Sequence, residues 1–83
     1  MSTDARALLA AVLEALDIPL PATEGDVELY DQILIERVGH AATSLRAAVH
    51  NPAADYGWEA DYLRARLAEI PATGYQAAGG EPR

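Results

Sequence analysis

The sequence predicts an all-α fold: an antiparallel three-helix bundle with a long central helix and a flexible C-terminal tail. Three observations predict it. Apolar residues recur at i, i+3, i+4 and i+7 in three separate stretches, the period of an amphipathic helix and not of a strand. Proline follows the end of each stretch, at Ile18-Pro19, Asn51-Pro52 and Ile70-Pro71, where the residue before proline avoids helical geometry. Alanine is very frequent, and it is the strongest helix former.

The first helix is Thr3–Leu16. Ala5, Leu8, Leu9, Val12, Leu13 and Leu16 form one wide apolar stripe. Ser2 or Thr3 can cap its start, and Asp4 suits the positive end of the helix dipole. The linker that follows, residues 17–23, is short and stiffened by Pro19 and Pro21, so it returns the chain antiparallel. Ile18 and Leu20 are expected to plug the end of the core.

The second helix, Val27–Val49, is the longest. Val27, Leu34, Val38, Ala41, Ala42, Leu45, Ala48 and Val49 fall on one face at about 3.6 residues per turn. Thr23 stands at the N-cap position, and Asp26, three residues on, can complete a capping box. Leu29 and Ile33 lie on roughly the opposite side, together with Glu36, Arg37 and His40. Either this helix is sandwiched between the other two, or its second side meets another chain. Gly39 lowers helix propensity by about 1 kcal/mol relative to alanine.

The third helix has two possible starts. Asn51 could cap a helix with Pro52 at its first position, or Asp55 could cap one beginning at Tyr56. The second is preferred, because it puts Gly57 in the first turn rather than the interior. The helix then runs to about Ile70. Tyr56, Ala60, Leu63, Leu67 and Ile70 share one side, whereas Trp58, Tyr62, Ala65 and Glu69 share the other. The only tryptophan is therefore off the main stripe. It either folds back over the end of the bundle or anchors an interface, where Trp and Tyr are enriched. Asp61–Arg64 and Arg66–Glu69 have the i,i+3 spacing of helix ion pairs. Residues 1–71 form the bundle domain. Residues 72–83, rich in Gly and Ala, form a flexible tail of which only Tyr75 is expected to dock.

A chain of 83 residues holds one domain, and three thin helices bury little, so oligomerisation is an ordinary remedy. With no cysteine there is neither a disulfide framework nor a thiolate metal site. No apolar run is long enough to span a bilayer, and the start lacks a basic segment followed by an apolar one, so a cytoplasmic location is expected. The net charge is −7, and residues 7–36 carry seven acids and no base. That argues against nucleic acid and anionic membranes as partners, because both demand clustered cations.

Site chemistry is thin. Glu36 and His40 stand four apart on one helix face, but a di-iron bundle uses Glu-x-x-His, and repeats it. A surface Glu–His pair is the plainer reading. Asp31 borders the apolar face near a helix start, where it reaches water. Gly79-Gly80 follows no strand and is not a phosphate loop. The third helix is not basic enough to read DNA. No catalytic residue, cofactor, metal site or small-molecule substrate is assigned.

At Ala-Leu-Asp-Ile-Pro-Leu-Pro-Ala-Thr (15–23), Glu-Arg-Val-Gly-His-Ala (36–41) and Tyr-Leu-Arg-Ala-Arg-Leu-Ala-Glu-Ile-Pro-Ala-Thr-Gly-Tyr (62–75), the chain resembles a group of short uncharacterised actinobacterial proteins. These are often encoded among phage-like or mobile-element genes. The resemblance covers most of the chain and carries no assigned activity. It implies a self-standing small protein, such as an accessory factor of an integrated element.

The leading functional expectation is a non-enzymatic interaction module that forms a homodimer through Leu29 and Ile33, or through the Trp58–Tyr62 surface. The alternative is an acidic inhibitor or antitoxin-like protein that docks residues 14–36 on a basic partner. A weaker alternative is a metal-dependent enzyme using Glu36 and His40.

Overall fold

The computed structural model describes residues 2–78. It is an all-α bundle of three helices: α1 (Thr3–Leu16), α2 (Val27–His50, preceded by a 3₁₀ turn at Glu24–Asp26) and α3 (Tyr56–Ala68). The 24-residue α2 is the longest, as its periodicity requires.

Short polar side chains set the helix starts. The Ser2 hydroxyl accepts the Ala5 N–H at 3.1 Å, and the Asp55 carboxylate accepts the Trp58 N–H at 3.0 Å. The expected capping box at Thr23 takes another form. The Thr23 hydroxyl donates to the Asp26 carboxylate at 3.4 Å, and the Thr23 carbonyl accepts the Asp26 N–H at 3.2 Å, so a 3₁₀ turn precedes the α-helix.

The helices run up, down and up. Leu9 of α1 shares a groove with Leu45 and Val49 near the end of α2, which makes α1 and α2 antiparallel. Asp4 lies beside Gly57, and Glu14 pairs with Arg64 at 3.3 Å, so α1 and α3 run in the same direction. Arg64 thus reaches across to α1 instead of pairing with Asp61, whereas Arg66–Glu69 forms as expected at 3.0 Å.

The core is built from small residues and a few leucines. Leu8, Ala11 and Ala15 of α1 meet Ala41 of α2 and Ala60, Leu63 and Leu67 of α3. Alanines at the crossings let the backbones approach closely, which turns both α1 and α2 away from their widest apolar stripes. On α1, Leu9, Leu13 and Leu16 stay 45–62% exposed. On α2, the buried residues are Ile33, Arg37, Ala41 and Ser44, while Val27, Val38 and Val49 face solvent. The side of α2 that carries Ile33 and Arg37 is therefore the inner one. Ile33, expected among the interface residues, is covered by its own chain. Ile18 closes the end of the core, but Leu20 is 64% exposed and does not.

The start of the segment expected to be a loose tail packs back on the linker. The Ala22 N–H donates to the Gln76 carbonyl at 2.8 Å, and the Ala78 N–H to the Leu20 carbonyl at 2.7 Å. Pro19 and Pro21 have no N–H to donate, so the linker pairs through the Ala22 N–H and the carbonyls of Pro19 and Leu20. Tyr75 docks as expected. Its hydroxyl donates to the Pro19 carbonyl at 2.7 Å, and its ring meets Tyr30 edge-on at 5.9 Å. Gly74 turns the chain at φ 91°, with Leu29 3.4 Å from where a Cβ would stand. The remainder of the expected tail, residues 79–83, lies outside the described residues.

Candidate functional site

A helix end leaves backbone carbonyls without partners. Arg37 takes three of them. Its Nε donates to the Ala15 carbonyl at 3.0 Å, one terminal nitrogen to Glu14 at 2.7 Å and the other to Ile70 at 2.7 Å. The guanidinium is a rigid fork of donors, and it sits where the negative ends of α1 and α3 converge. Arg37 is only 5% exposed, and its bonds hold the bundle together rather than presenting a charge to a ligand. Sequence periodicity places it with Leu29 and Ile33 on the second side of the helix, a side that either packs inside the bundle or meets another chain. The available signal was the i, i+4, i+8 series Ile33, Arg37, Ala41, which continues to Ser44 and Ala48 as a stripe of mostly small residues.

Two surfaces remain for interaction. The first is on α3. Trp58 and Tyr62 stand four apart and stack at 5.2 Å between centroids, with 14° between planes. Arg66, a further four residues on, lies over the Tyr62 ring at 5.5 Å. Trp58 is 58% and Tyr62 40% exposed, so the indole does not fold back over the bundle. The pair lies on the side of α3 away from Arg64 and hence away from α1. Leu29 is partly exposed and lies beside Gly74.

The second surface was missed in the sequence because Leu9, Leu13, Leu16, Val38 and Val49 were placed on the main apolar stripes and Ile35 on none. It is the outer side of α1 and α2. Leu9, Leu13 and Leu16 project from α1, and Ile35, Val38 and Val49 from α2. At one end the two helices and Tyr56 enclose an open apolar groove of about 330 Å³.

Polar chemistry is sparse. Among the described residues, no three His, Asp or Glu side chains gather closely enough to hold a metal. Glu36 is exposed and His40 half-buried, with no third such group beside them. The Ser44 hydroxyl is buried without a hydrogen-bond partner. The Tyr75 hydroxyl has a shifted pKa. Burial raises it, the neighbouring Tyr30 raises it further, and Arg37 acts in the opposite sense. Among the described residues no helix is long and apolar enough to cross a membrane.

No protein-family model, curated protein or solved structure matches this chain.

Proposed function

We propose that this chain is a small acidic interaction module without enzymatic activity, which works in the cytoplasm as a homodimer. One observation carries the reading. Leu, Ile and Val side chains on the two longest helices, and a stacked Trp–Tyr pair on the third, stand in solvent instead of the core. Single exposed apolar residues are ordinary; rows of them along helices mark contact surfaces. The acidic charge keeps such a protein soluble as a free subunit.

Light scattering across micromolar concentrations tests this. The expected result is a mass that rises from one chain to two as concentration increases. A single-chain mass throughout contradicts self-association.

A further inference from the structure

The reading as a homodimer leaves open which face forms the contact. We infer that a second copy of this chain covers the α1–α2 face, in an antiparallel arrangement about a two-fold axis near Leu13 and Val38. The inference rests on the self-association proposed above.

Size is the first argument. Leu9, Leu13, Leu16, Ile35, Val38 and Val49 are each 41–73% exposed. Together they present on the order of 600 Å² of surface, at the top of what the largest patch on a monomer reaches and most of the roughly 800 Å² that each partner of a stable interface buries. Because Leu9 shares a groove with Leu45 and Val49, the exposed rows of α1 and α2 lie side by side as one face.

Charge selects the occupant. Two copies of a chain with net charge −7 repel, so their contact must either lack charge or pair it. This face is apolar along its middle and polarised at its ends. α1 and α2 are antiparallel, so Arg6 and Arg46 stand at one end and Asp17 and Asp31 at the other. Among the described residues, neither Arg6 nor Arg46 takes part in an ion pair. Val38 is seven residues from Asp31 and eight from Arg46, close to midway. A two-fold axis there sets Arg46 of one copy against Asp31 of the other, twice over. An isologous contact of this kind closes on itself as a dimer. A partner of uniform charge, basic or acidic, would match only one end.

The Trp58–Tyr62 stack lies on the other side of α3 and stays uncovered in this dimer.

Sedimentation equilibrium on the full chain and five variants tests the inference, with circular dichroism as the check on folding. Leu13 is 62% exposed, so Leu13→Asp keeps the helical signal; its dimer weakens by at least about tenfold, because the substitution counts twice. Arg46→Asp and Asp31→Arg each weaken the dimer by about threefold, the range of an exposed ion pair, and the double variant regains the original affinity. Trp58→Ala leaves it unchanged. A dimer that survives Leu13→Asp but dissociates with Trp58→Ala overturns this face and keeps self-association. A double charge reversal no better than its singles overturns the antiparallel register. A wild-type chain that stays monomeric overturns both the face and the homodimer.

Discussion

Arg37 and Ile70 are 33 residues apart in sequence and 2.7 Å apart in space, a terminal guanidinium nitrogen donating to the last carbonyl before Pro71. With the bonds to Glu14 and Ala15, this contact fixes how α2 is rotated against its neighbours. A buried cation usually meets a carboxylate. Here the carbonyls of two helix ends supply the negative field instead.

Arg37→Ala should therefore be strongly destabilising. It strips three carbonyls of their donors at once, for an expected loss of roughly 3 kcal/mol. Arg37→Lys should recover less than half, because a point ammonium cannot span three acceptors. Urea denaturation followed by circular dichroism measures both; an Arg37→Lys variant as stable as the parent would show that the fork geometry is irrelevant.

Ser44→Ala should act in the opposite direction. The Ser44 hydroxyl is 1% exposed and has no hydrogen-bond partner. Replacing it removes the desolvation penalty and adds helix propensity, together about 1 kcal/mol of stabilisation. A lower urea midpoint for the variant would mean that the hydroxyl has a partner after all.

Gly39 sits in mid-helix with open space where a Cβ would stand. Gly39→Ala should stabilise the subunit by up to about 1 kcal/mol. Urea denaturation followed by circular dichroism measures it; a lower midpoint for the variant would show that a methyl group does not fit there.

Tyr75 ties residues 74–78 to the linker through its bond to Pro19. Tyr75→Phe should lose about 1 kcal/mol near neutral pH. Alkali should act on the same group. Its folded pKa is raised by burial and then by Tyr30, so the folded state holds the proton more tightly than the unfolded chain. The resulting stability is fully present below the ordinary tyrosine value of about 10 and is lost as pH rises through the folded value. Above pH ~10, wild-type stability should fall more steeply than that of Tyr75→Phe; parallel curves would exclude Tyr75 as the titrating group.

Much of the fold is legible in the sequence. Ser2, Asp55, Pro19, Pro52 and Pro71 punctuate the helices, and their positions depend only on near neighbours. The rotations of α1 and α2 are not legible. Both helices carry more apolar residues than one face can hold, so periodicity offers several inward directions of similar merit. The choice falls to Ala11, Ala15 and Ala41, which allow close approach, and to Arg37, whose acceptors lie 22–33 residues away. The Trp58–Tyr62 pair was legible because i, i+4 spacing is local. The pairing of residues 76 and 78 with the linker was not, because it joins Ala22 to Gln76 and Leu20 to Ala78 across the whole length of α2 and α3.

The most direct test of the central claim is the mass of the wild-type chain beside Leu13→Asp, by sedimentation equilibrium at equal micromolar concentration. The α1–α2 contact predicts twice the 8.8 kDa chain mass for the wild type and the single-chain mass for the variant, with equal helical content. Equal masses for the two, whether one chain or two, would contradict it.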